Sequence, residues 1–375
     1  MNVKQNLIEL YESKFKGNKE LLEFTIENEL YGPLLMTSIE NGYDKAKFKI
    51  LIVGQEAGWS DAKIVLDNVS DLIRSYEDFK MANNFPQHNS PFWRATKLII
   101  NMLSPDSEVK DGLVNYLWTN VSKYSDDGDP IPFESQIEII RLCNLLPDEV
   151  EILMPDLIIF FSGPNYDSML QEQFGKELTF ERVFEHIPEK EIAHLKHPLL
   201  FPKIHAIRTY HPNSLQRMNK WFYLDLIAND VTKQYMIEFR KQLIQIAKDL
   251  NLHISFSSIG LGEKDSEFYF FDDKWKYTAI GFSFERSWAK DLFYGIRVKH
   301  LDREMPSNLR VSIQESFGQS DEEATANWPF WKWYDKDKWN EGICSAISIP
   351  DLIKDIKSKV ENLKSILMEM ESTLK

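Results

Sequence analysis

The chain has 375 residues, 43% of them apolar and 13% aromatic, which is enough for two domains with cores of their own. Its two cysteines, Cys143 and Cys344, exclude a disulfide framework and any four-thiolate zinc or iron–sulfur site, and no apolar run reaches the ~20 residues of a membrane-spanning helix. The net charge of −14 argues against indiscriminate attraction to nucleic acid, but it is uneven: residues 1–195 are net −15, residues 196–250 net +5 and residues 251–375 net −4, so one segment suited to local phosphate contact sits in an acidic protein.

Leu7, Leu10, Tyr11 and Phe15, then Leu21, Leu22, Ile26 and Leu30, recur at helical spacing around a Gly17-Asn18 break, which predicts two short helices ahead of the first strand. Met1 to Gln5 leads straight into the first helix, unlike a signal peptide, so a cytoplasmic protein without membrane attachment is expected. Phe48 to Val53 is a buried strand, and the following Gly54-Gln55-Glu56-Ala57-Gly58-Trp59 forces a turn that presents a carboxylate at the strand's carboxyl end, where open α/β sheets bind ligands. A helix is predicted from Ile64 to Met81, then a Pro-punctuated loop to Pro91, then a helix capped by Ser90 and running through Met102.

Tyr116 to Val121 reads as a second strand that carries Asn120 near its end, and Phe133 to Leu153 as one long helix. Pro155 to Phe161 is a third strand, ending in Ser162-Gly163-Pro164-Asn165-Tyr166-Asp167. Ile204 to Tyr210 is a fourth, ending in His211-Pro212-Asn213-Ser214-Leu215. Apolar strands separated by helices predict a parallel sheet covered on both faces, hence an α/β domain over residues 1–230. From residue 231 the closely spaced stretches His253–Ile259, Phe268–Asp272, Tyr277–Glu285 and Leu292–Lys299 predict antiparallel hairpins. Ile353, Ile356, Val360, Leu363, Leu367 and Met370 predict a terminal helix, which makes residues 231–375 a smaller α+β domain. A helix from Trp221 to Leu250 is expected to bridge the two.

Four strand ends thus carry, in order, a carboxylate, an amide, a Gly-Pro-Asn-Tyr turn and an imidazole. Together they resemble the uracil-DNA glycosylase superfamily, a three-layer α/β/α fold with a parallel central sheet. Gly54-Gln55-Glu56 is similar to that superfamily's water-directing loop, Leu117 to Asn120 to the strand whose asparagine pairs with the flipped base, and His211 to Leu215 to its His-Pro-Ser-Pro-Leu loop. The resemblance covers roughly residues 45–230. Gly54-Gln55-Glu56 with Gly58-Trp59, Asn120-Val121 with Lys123, and Phe160 to Asp167 look most like a prokaryotic branch that includes antiviral glycosylases acting on modified phage cytosines. Ala57 and Ser214 replace prolines of the pattern, and Gly58 stands where uracil-specific enzymes have a tyrosine that blocks pyrimidine C5.

The residue types suit the chemistry. Breaking an N-glycosidic bond builds positive charge on the sugar and negative charge on the base, so a carboxylate under the sugar and a donor at the base are both required. The resemblance implies that Glu56 directs water and His211 supports the departing base. It implies that Gln55, Gly58, Asn120, Gly163, Asn165 and Tyr166 bind the base, and that Arg208, Ser214, Leu215, Arg217 and Lys220 contact DNA, with Leu215 as the wedge that fills the stack when the base flips out. No metal or organic cofactor is implied. DNA is the implied partner, and no protein partner is indicated.

Other residues carry plainer readings. His197-Pro198-Leu199 competes with the His211 loop but follows a mixed stretch and not a buried strand. Trp328, Trp331, Trp333 and Trp339 fit a small domain's core better than a base-stacking platform, and Asp272-Asp273-Lys274 fits a charged hairpin turn better than a nuclease element. The expected function is a monofunctional DNA glycosylase that excises a C5-modified, glucosylated hydroxymethyl cytosine of phage DNA in antiviral defence. The alternatives are excision of uracil or a damaged base in repair, and a non-catalytic DNA-binding protein.

Overall fold

The computed structural model describes residues 3–37, 43, 46, 48–56, 69–81, 89–103, 116–127, 129–199, 201, 204–300, 303–334 and 349–372. The chain divides into two compact units at Leu224 and Asp225. In the first, helices α1 (Val3–Phe15) and α2 (Lys19–Glu27) break at Gly17, whose φ of 77° is left-handed, and Asn18 then caps α2 by accepting from the Leu21 amide. Strand β1 (Ile50–Glu56) follows, then α3 (Val69–Met81), α4 (Pro91–Leu103) and β2 (Tyr116–Ser122).

The predicted helix over 133–153 is two helices, α5 (Phe133–Leu142) and α6 (Leu146–Leu153). Pro147 in the first turn of α6 explains the break, because it lacks the N–H of a continuing helix and its ring would strike the Cys143 carbonyl. Strand β3 (Leu157–Phe160) leads through a 3-10 turn over Pro164–Tyr166 into α7 (Asp167–Phe174). Then come β4 (Thr179–Arg182), β5 (Ile192–Lys196), β6 (His205–Thr209) and α8 (Pro212–Arg217).

The fold class is α/β, but the first sheet is mixed, not parallel throughout. Its order is β2-β1-β3-β6-β5-β4, with the first four strands parallel and the last two pairings antiparallel. Strands β4 and β5 lack the continuous apolar run that identified the others, since β4 is mostly exposed and β5 ends at an exposed lysine. The short link from β5 to β6 leaves no room for the crossover a parallel pair needs. Ile50 to Val53 and Leu157 to Phe161 are wholly buried, so the middle of the sheet is covered on both faces.

The long helix α9 (Tyr223–Asp249) carries the chain across the boundary. The second unit holds β7 (His253–Phe256), β8 (Ser266–Phe271), β9 (Thr278–Arg286), β10 (Lys290–Val298), α10 (Ser307–Phe317), β11 (Phe330–Trp333) and α11 (Ile349–Ser372). Its sheet, β11-β10-β9-β8-β7, is antiparallel throughout. Phe239 of α9 packs edge-on against Phe268, which stacks flat on Phe282 at 4.9 Å. The buried seam of α11 is Leu352, Ile356, Val360, Leu363 and Leu367, so it begins one residue before the expected Ile353. Asp272 to Lys274 form the turn between β8 and β9, Trp328 and Trp331 are buried, and Trp339 lies outside the described residues. No described helix is long and apolar enough to cross a membrane.

Candidate functional site

Parallel pairing aligns the carboxyl ends of four strands. Gly54 of β1 pairs with Asn120 of β2, Val53 with Phe160 of β3, and Phe160 with Arg208 of β6. Gly54 permits the close approach of its neighbour: a Cβ there would lie 2.3 Å from Asn120 Oδ1 and 3.2 Å from the Phe92 ring. Gln55 donates to the Ser162 carbonyl at 2.8 Å, which ties the β1 end to the β3 end. Gly163 takes a left-handed φ of 73° and donates to Thr209 O, so the turn after β3 is fastened to the end of β6.

Beyond these ends lies a cavity of about 250 Å3 lined by Gln55, Ser162, Gly163, Pro164, Asn165, Tyr210, His211, Ser214, Arg217 and Met218. His211 is the N-cap of α8, and its Nδ1 accepts from the Asn213 amide at 3.3 Å. Burial, with a smaller contribution from the Arg217 charge, pushes the imidazole down to about 4. The ring is therefore neutral near pH 7 and, with Nδ1 accepting, carries its proton on Nε2. Phe92 lies nearly parallel to it at 5.9 Å and edge-on to Phe161.

Glu56 closes β1. Its Oε1 accepts from Gln136 Nε2 at 2.9 Å and from the Tyr166 hydroxyl, whereas Oε2 is buried and has no partner among the described residues. Burial first, and the Glu56 carboxylate second, hold the Tyr166 hydroxyl well above the usual phenol range, so it remains a donor. Two neutral donors thus fix one carboxylate oxygen and leave the other free.

Of the residues singled out in the sequence, Gln55, Gly163, Asn165, His211, Ser214 and Arg217 meet at the cavity. Glu56, Asn120 and Tyr166 stand at the neighbouring strand ends and not in the cavity wall, with Tyr166 bonded to Glu56. Gly58, like Ala57 and Trp59, lies outside the described residues. His197 is buried away from the cavity wall, its Nδ1 accepting from Leu199 N.

Two expected DNA contacts need correction. Leu215 is fully buried, because α8 starts at the His211 cap and turns Pro212 and Leu215, three apart, to the interior. A residue so placed presents no wedge. Arg208 is also fully buried, forked onto Asp167 at 2.9 and 3.1 Å and donating to Lys190 O at 2.8 Å. A buried guanidinium needs such partners, and burial lifts the Asp167 carboxyl to about 6 even though Arg208 opposes the rise. Lys220, in contrast, is partly exposed, and pairs with Glu191, which also accepts from Tyr223. Of the expected cations, Arg217 is the exposed one at the cavity.

Phe92, Gln136, Tyr210 and Met218 escaped the sequence reading. Gln136 carried no signal: a glutamine in an amphipathic helix reads as solvent-facing, yet its side chain is buried against Glu56 and Ile131 O. Phe92 had a weak one, as an aromatic just inside a proline-started helix after a polar loop. The chain matches no family model and no curated protein.

Proposed function

We propose that the first unit is a monofunctional DNA glycosylase built on the three-layer fold of the uracil-DNA glycosylase superfamily. The observation that carries this reading is Glu56: a strand-end carboxylate with Oε1 held by Gln136 and Tyr166 and a buried Oε2 that has no partner among the described residues, on the same sheet edge as the end of the strand that leads into the neutral imidazole of His211. That combination suits hydrolysis of a nucleoside. As the C1′–N bond breaks, the Glu56 charge stabilises the sugar cation and orients a water, whose proton passes to the carboxylate when oxygen bonds C1′. The electron pair leaves with the base, and the His211 Nε2–H donates to the developing anion. Asn120, pressed against Gly54, reads the base edge, and Arg217 with Ser214 accompanies a phosphate.

The proposed substrate is a C5-modified cytosine, a glucosylated hydroxymethyl cytosine of phage DNA, on the strength of Gly58 in place of a C5-blocking tyrosine. The test is release of free base from uracil-containing, hydroxymethylcytosine-containing and glucosylated phage DNA, with alkali revealing abasic sites. Release from the glucosylated DNA, abolished in Glu56→Gln while DNA binding persists, is the expected result. Release from uracil alone would make the protein a repair enzyme, and no release with binding retained would make it a reader.

A further inference from the structure

A second, much smaller cavity of about 20 Å3 has Ser122, Lys123, Gln136, Cys143 and Gln173 in its wall. That is room for one water molecule. Gln136 therefore belongs to two places at once, since its amide nitrogen also holds Glu56.

The bonding capacity left in this wall can be counted. Gln136 Nε2 donates to Glu56 Oε1 and Ile131 O, both at 2.9 Å, and Gln173 Nε2 donates to Val121 O at 2.8 Å. Because all three partners are acceptors, they set the orientation of both amides. Gln136 Oε1 and Gln173 Oε1 are then two buried oxygens that accept nothing among the described residues. Lys123, also buried, has three N–H donors and directs two of them to Thr119 Oγ1 and to Glu149 Oε2, the latter at 2.5 Å. Burial pushes the Cys143 thiol up to about 12, so it adds no anion to the space. Ser122 Oγ is satisfied by donating to Tyr124 O at 3.2 Å and the Cys143 thiol is at most a weak donor, so the groups left wanting a partner are the two amide oxygens and the third Lys123 N–H, a set that a single water molecule, donating twice and accepting once, can join.

We propose that one ordered water joins Gln136 Oε1, Gln173 Oε1 and Lys123 Nζ, and that Lys123 and Gln173 thereby act as positioning residues for the Glu56 carboxylate. The chain of bonds runs from Glu56 through Gln136 and the water to the Lys123–Glu149 pair, and on to the Tyr11 hydroxyl, which donates to Glu149 Oε1 at 2.9 Å. It anchors the end of α5 that holds Glu56 to the buried Lys123–Glu149 ion pair. The catalytic half of the inference rests on the glycosylase reading; the water itself does not.

The test has two arms on the full-length protein. A crystal structure that shows ordered water is expected to hold a solvent peak within hydrogen-bond distance of all three atoms, and a space without one overturns the bridge. In the second arm Gln173→Met, close in volume but without polar atoms, is expected to melt as a folded protein. On duplex carrying glucosylated hydroxymethylcytosine, its kcat for base release should fall about tenfold with KM unchanged, as loss of positioning worth about 1.4 kcal/mol predicts. An unchanged kcat, or a loss that appears wholly in KM, overturns the positioning role. If Gln173→Met does not fold, the solvent peak in the unaltered protein still decides the bridge. If the unaltered protein releases no base from any DNA, the glycosylase reading fails and takes the positioning role with it, while the peak alone continues to judge the water.

Discussion

Gly54 and Asn120 occupy paired positions on β1 and β2, and the asparagine oxygen lies where a Cβ on residue 54 would be, at 2.3 Å. The asparagine is buried, and the Phe92 ring lies 3.2 Å from the same Cβ position, so the asparagine oxygen cannot yield freely. Gly54→Ala is therefore expected to cost about 1–3 kcal/mol of stability by overpacking. It is also expected to lower base release at least about tenfold by turning Asn120 off its line. Denaturant melts and single-turnover rates check the two effects separately, and a fully active Gly54→Ala would remove Asn120 from the base-reading role.

His211 supplies a pH prediction. Its folded value, about 4, lies below the unfolded value of about 6.5, so between those limits the unfolded chain binds more protons and stability rises with pH. The contribution, on the order of 3 kcal/mol, is complete above about pH 6.5 and is lost as pH falls toward 4. By NMR the ring is expected to stay neutral from pH 5.5 to 8. Arg217→Gln should move its midpoint upward, because the Arg217 charge is the second cause of the depression.

The two arginines that flank the histidine loop should respond in opposite ways. Arg208→Met removes one side of a buried fork and strands Asp167, at an expected cost of about 3 kcal/mol in stability. Its salt dependence of DNA binding should stay unchanged. Arg217→Ala should leave the melt nearly unaltered and reduce the slope of log affinity against log salt by about one. A salt slope that falls in the Arg208 variant instead would place that side chain on the phosphates after all.

Leu215 and Met218 form a similar contrast. Leu215 is fully buried, so Leu215→Ala should destabilise by about 2–5 kcal/mol and affect single-stranded and duplex substrates alike. Met218 is 39% exposed and lines the cavity. Met218→Ala should leave stability intact and slow base release from duplex more than from single strands, since only duplex requires the stack to be opened. Equal slowing on both substrates would assign Met218 to the pocket and not to strand opening.

Much of the framework was legible because it depends on local periodicity. The four parallel strands, the Ser90-Pro91 helix start and the alternating hairpins after residue 250 are each set by residues adjacent in the chain, whose burial demand shows as a run or a period. The same logic explains the omissions. Strand β4 is a short edge element and β5 a short strand between it and β6, and their partners supply their order, so Thr179 to Arg182 carries no apolar run to announce it. The break before Pro147 was open to view in the sequence, but the apolar spacing on either side outweighed it.

The sequence alone determined the order of chemistry along the chain: a carboxylate at 56, an amide at 120, a glycine turn at 163 and an imidazole at 211, each at the end of a strand that its apolar run makes obligatory. Which of their neighbours face the cavity was decided only by the tertiary structure. Arg208 and Leu215 lie within a few residues of His211, yet both are buried, because β6 is covered on both faces and α8 turns Pro212 and Leu215 to the interior. Gln136, 80 residues from Glu56 along the chain, becomes its ligand only when α5 packs beside the end of β1. A side chain's direction depends on the elements that cover it, and those are brought together by folding, not by proximity in sequence.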